Sequence, residues 1–132
     1  MINSVSMFSG GYSPIQSRQR QEIINQRYNE IYSHELAHQR AGGNLAGGIV
    51  IERDANGIPF AGHVPIKMPS LDKANPDKTI KDANTVINSA MAPSDPSSQD
   101  YNVANQARNI KIQAEYYKQQ HPELGKNLNI SA

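Results

Sequence analysis

From Ile15 to Ala41 the chain carries neither glycine nor proline, and the run is bounded by Pro14 on one side and by Gly42-Gly43 on the other. That boundary pattern specifies a helix. Proline presets the first turn, and glycine readily takes the left-handed conformation that ends one. Ile24, Tyr28, Ile31, Glu35 and His38 recur at spacings of four, three, four and three, which makes one stripe on that helix. The stripe is apolar until it reaches Glu35 and His38, so the face that should be core ends in ionisable groups.

Those groups belong to the run His34-Glu35-Leu36-Ala37-His38. Positions four apart on a helix lie about 6 Å along the axis and roughly 40° around it, so both imidazoles leave one face and can share a metal ion. Glu35 projects from the neighbouring edge of that face, where a carboxylate accepts a proton from a metal-bound water instead of ligating the metal. This is the HExxH arrangement of zincins. The expected chemistry is hydrolysis of a peptide bond by a zinc-bound water, with Glu35 taking the proton and returning it to the leaving amine. Two other classes compete with it: a non-catalytic zinc-binding module, and a helical protein-interaction module in which the histidines are ordinary surface residues.

A catalytic zinc takes three protein ligands and a water. The metzincin extension HExxHxxGxxH does not supply the third, because Asn44 stands at its histidine position and the glycine falls at Gly42. Cysteine is absent, which excludes thiolate ligands and disulfides. The remaining candidates are His63, His121, Glu52, Asp72, Asp95 and Asp100. His63 is preferred, on a strand expected to return past the helix, and Asp100 is the alternative, in the first turn of a later helix. His121, beside Pro122, suits a helix C-terminus. Tyr101, Tyr116 and Tyr117 are available as oxyanion donors.

The rest of the chain predicts a scaffold for that helix. Residues 49–53 and 58–66 are two strands around Asp54-Ala55-Asn56-Gly57, with Pro59 and Pro65 confining the second to an edge. The hairpin is expected to pack on the motif helix. Asn44 to Gly48 lacks the GK[ST] ending of a phosphate-binding loop and is a turn. A second helix runs from Pro76 to about Met91, capped by Asn75, with Asp77 near its positive end and Ile80, Ala83, Ile87 and Ala90 as its buried stripe. Pro93-Ser94-Asp95-Pro96 interrupts the chain. Asp95 is then the expected cap of a third helix, whose stripe Val103, Ala107, Ile110, Ala114 and Tyr117 carries it to about Gln120. The fold class expected is α+β, a small zincin-like single domain over residues 14–120, with a flexible leader (1–13) and tail (121–132).

Composition bounds the function classes. The chain of 132 residues has 37% apolar content and a mean hydropathy of −0.65, enough for one modest core. Thirteen basic and 12 acidic residues leave a net charge of +1, so no electrostatic footprint for nucleic acid exists. No apolar run approaches the roughly 20 residues of a membrane span. Met1 to Pro14 has neither the basic nor the apolar region of a secretory signal, so the default address is the cytoplasm, with non-conventional export left open. The partner implied is a peptide or protein substrate, and the oligomeric state is not encoded in any of these features.

Several separated blocks carry a resemblance: His34 to Gln39, Ala41-Gly42-Gly43, Ala46-Gly47, the turn Asp54 to Gly57, Gly62-His63-Val64-Pro65-Ile66, and Ala92 to Asp100 with Val103-Ala104. In this order the chain resembles the SprA-related family of bacterial proteins, which are classed as metallopeptidases by their motif. The resemblance covers about residues 30 to 108. It implies that His34 and His38 ligate a metal and that Glu35 is the catalytic carboxylate. The position of His63 is often Glu in that family, and both residue types ligate zinc. The resemblance also marks Asp100.

Overall fold

The computed structural model describes residues 14–124. Helix α1 (Pro14–Gly42) leads through a 3-10 turn (Gly43–Leu45) into a two-stranded antiparallel sheet of β1 (Val50–Arg53) and β2 (Pro59–His63). Helices α2 (Pro76–Ala90) and α3 (Ser98–Gln120) follow. The order and α+β class are those expected. The leader 1–13 and the tail beyond Leu124 lie outside the described residues. None of the described helices is long and apolar enough to cross a membrane.

The chain divides into two compact units. The first comprises α1 up to Ser33 together with residues 51–62. Its hairpin closes through Asp54, whose N–H donates to Ile58 O at 3.0 Å and whose carbonyl accepts from Gly57 N at 3.0 Å. The Asp54 carboxylate accepts from the N–H groups of Asn56 and Ile58 at 2.8 and 3.0 Å. Gly57 has φ +79°, a left-handed conformation that suits glycine. The hairpin meets α1 through its amino-terminal half: the Arg20 guanidinium donates to Asn56 O, and that of Arg53 lies 5.7 Å over the Tyr28 ring.

The second unit comprises residues 34–50 and 63 onward. Its core is the face between α2 and α3, where Ala83, Val86 and Ala90 are buried, as are Ala104, Ala107 and Ala114. Side chains this small let two helix backbones approach closely. Asn75 caps α2 by accepting from Lys78 N, and Pro76 follows it, as expected. The buried stripe differs by one position: Pro76, Thr79, Ala83, Val86, Ser89 and Ala90 are buried, while Ile80 and Ile87 sit half-buried at its border. Thr79 is drawn inward because its hydroxyl accepts from Asp72 N at 2.8 Å and donates to Ser70 O at 3.2 Å, tying the preceding loop to the helix.

Helix α3 starts two residues later than a cap at Asp95 would place it. Ser97 is the cap: its hydroxyl accepts from Asp100 N, and the Asp100 carboxylate accepts from Ser97 N. This reciprocal capping box satisfies two groups where a lone Asp95 would satisfy one. At the other end His121 is the C-cap, as its position beside Pro122 suggested.

Around the end of α1, Ala46 bridges Ile66 antiparallel, flanked by bonds from Gly47 N to Pro65 O and from Lys67 N to Leu45 O, both 2.8 Å. Pro65 has no N–H with which to return the first bond. The Gln39 amide takes that place, donating to Gly47 O at 3.1 Å.

Candidate metal centre

The end of α1 is pressed close to its neighbours. A Cβ on Gly42 would lie 2.7 Å from Ala46 Cβ and 3.1 Å from Ser89 Oγ, so a residue without a side chain is required there. This close approach joins His38 and Ser89 by two reciprocal bonds. Ser89 Oγ donates to His38 O at 2.6 Å, and His38 Nδ1 donates to Ser89 O at 2.7 Å. A carbonyl only accepts, so the His38 proton must be on Nδ1.

His34 Nδ1 also faces an acceptor, Asp95 Oδ1 at 3.2 Å. The two Nε2 atoms face each other at 3.1 Å. Asp100 closes the group: Oδ2 lies 3.2 Å from His34 Nε2 and Oδ1 lies 3.2 Å from His38 Nε2. Ser97 N–H holds the same carboxylate from behind at 2.8 Å. Two imidazole nitrogens of α1 and one carboxylate of α3 are thus brought together at 3.1 and 3.2 Å.

Glu35 stands beside them. The potential ligand atoms of His34, Glu35 and His38 all lie within 4.8 Å of one another, close enough to bind a metal ion. Glu35 is only 6% exposed and its nearest approach is Oε2 to His34 Nε2 at 3.9 Å. Burial pushes its carboxyl above the ordinary value of 4.5. His38, His34 and His63 oppose that rise and Asp100 adds to it.

Among the described residues none of the other candidates bonds either imidazole Nε2. His63, at the end of β2, is exposed, and its imidazole makes no hydrogen bond or ion pair among the described residues. The carboxylate brought against both imidazoles is Asp100. Asp72 accepts from Ala74 N and Asn75 N in its loop, Glu52 is exposed on β1, and His121 bonds Glu123 at 3.1 Å. Tyr117 is stacked on His121, with centroids 4.1 Å apart, while Tyr101 and Tyr116 are exposed, and none bonds the cluster. Ser89 has no counterpart among the residues the sequence singled out. What it offers the His38 ring is a backbone carbonyl, and no side-chain pattern signals that.

Residues 12–119 match the model of the SprA-related family. No curated protein and no solved structure matches the chain. The matched span contains the HExxH helix, the hairpin, both later helices and every member of the cluster, and on that coverage the chain belongs to the SprA-related family.

Proposed function

We propose that the chain is a zinc-dependent peptidase in which His34, His38 and Asp100 hold the ion and Glu35 is the general base. The observation that carries this is the convergence of two Nε2 atoms and a carboxylate beside a buried glutamate. Tetrahedral coordination at zinc–ligand distances of 2.0–2.1 Å sets donor atoms about 3.3 Å apart. The Nε2–Nε2 separation of 3.1 Å and the 3.2 Å from His34 Nε2 to Asp100 Oδ2 are close to that spacing, and the second oxygen, Oδ1, lies 3.2 Å from His38 Nε2. Two imidazoles and one carboxylate are also a donor set that leaves a fourth position open, as a catalytic site needs.

Zinc in this position would supply a polarised water at neutral pH and a Lewis acid for the substrate carbonyl. Glu35 is close enough to take the proton of that water, and burial gives it the raised proton affinity of a group that must accept a proton and then deliver it to the leaving amine. Ser89 O and the Asp95 carboxylate hold the imidazole protons on the far side of the rings. Ser97 N–H steadies Asp100.

Zinc content of the purified chain tests this, measured by elemental mass spectrometry beside His38→Ala, Asp100→Ala and His63→Ala. About one zinc per chain is expected, lost with His38 or Asp100 and kept without His63. Loss in His63→Ala and retention in Asp100→Ala would transfer the third position to His63. Glu35→Gln should keep the ion and lose cleavage of a peptide library by at least 100-fold. Cleavage that survives this change would overturn the mechanism.

A further inference from the structure

The two imidazoles are held differently. His38 Nδ1 is fixed by a backbone carbonyl, which side-chain substitution does not remove, whereas His34 Nδ1 is fixed by the Asp95 carboxylate. We propose that Asp95 is a positioning residue: it keeps the proton of His34 on Nδ1 and so presents Nε2 to the metal. This rests on the metal assignment above.

Asp95 has work to do because His34 has an alternative. A neutral imidazole carrying its proton on Nε2 would donate to Asp100 Oδ2, 3.2 Å away. That tautomer consumes the nitrogen lone pair and occupies the carboxylate that should share the ion. An acceptor at Nδ1 opposes it, since the partner on one ring nitrogen decides what the other offers.

Among the described residues the Asp95 carboxylate has no other hydrogen bond or ion pair. It is not the cap of α3, that role belonging to Ser97, and its side chain is 84% exposed. The flanking prolines, Pro93 (buried) and Pro96, fix φ on either side and restrict the loop that presents it. An exposed carboxylate without a structural role can be removed without unfolding the chain.

The test compares wild type, Asp95→Ala and Asp95→Asn in the full chain, with zinc affinity measured by chelator competition. Outer partners of metal-bound histidine are worth 10–100-fold in affinity, and an exposed one belongs at the lower end, so Asp95→Ala should weaken zinc binding about 10-fold. Asp95→Asn should recover most of that loss, because its amide oxygen still accepts from Nδ1–H. In the zinc-loaded protein, NMR should find the His34 Nδ1 proton protected from solvent exchange in wild type and Asp95→Asn and exchanging in Asp95→Ala. Unchanged affinity and unchanged protection in Asp95→Ala would overturn the positioning role and leave the metal site standing. Equal losses in both variants would trace the effect to charge alone and overturn it too. A wild-type chain that binds no zinc would overturn the metal assignment, and the role of Asp95 with it.

Discussion

Glu35 occupies a position where the helical stripe calls for a core residue, and the consequence is electrostatic. Burial is the main reason its carboxyl is raised above 4.5, against the opposing fields of His38, His34 and His63. A group whose pKa is raised by folding holds its proton more tightly in the folded chain than in the unfolded one. Its stabilising contribution is therefore complete below about 4.5 and is lost as pH rises through the folded-state value. In the metal-free protein, Glu35→Gln should melt with wild type under acid conditions and above it at neutral pH and beyond, as read by thermal unfolding across that range. Identical melting at both ends would mean that the buried charge costs nothing. His34, Glu35 and His38 were legible in the sequence because a spacing of four is a local property of any helix. The partners of the rings were less so. Asp95 is among the candidate ligands by residue type, but which nitrogen it meets depends on the fold, and it meets Nδ1.

The connection between α2 and α3 supplies the partners of both imidazoles: Ser89 at the end of one helix, Asp95 in the loop, and Asp100 in the first turn of the other. Asp100 does two things at once, closing the capping box and facing the rings. These roles separate by substitution. Ser97→Ala removes the hydroxyl but leaves the backbone N–H that holds Asp100, so it should cost about 1 kcal/mol of stability in denaturant melts and leave zinc affinity within about two-fold. Asp100→Ala should lose a similar amount of stability and the zinc with it. A Ser97→Ala chain that lost zinc as completely would show that the cap and the ligand cannot be separated. The start of α2 was legible because Asn75-Pro76 is a strong local signal. The start of α3 was legible only to within two residues, since Asp95 and Ser97 are both good caps and the competition was decided by Asp100 three residues beyond Ser97.

At the scale of the whole chain, α1 is one unbroken helix whose residues are divided between two compact units at Ser33 and His34. An uninterrupted stripe, from Ile24 through Tyr28 to Glu35 and His38, carries no mark of that division. The second unit rests on a lean core of alanines, so an ion bridging the end of α1 and the start of α3 would add a cross-link where apolar burial is small. A ligand that binds only the folded form stabilises it by about 2.7 kcal/mol at a free concentration 100 times its Kd. That gain should be local, because the residues that open to release the ion are those that hold it. Hydrogen exchange on the full chain, with and without zinc, should show slowed amides around residues 34–42 and 97–104 and unchanged exchange at the hairpin turn of residues 54–58. Slowing of the same size at that turn would mean that zinc acts on global unfolding. No slowing anywhere, at zinc concentrations that saturate a site of this kind, would leave the convergence of His34, His38 and Asp100 a hydrogen-bonded cluster with no ion to hold.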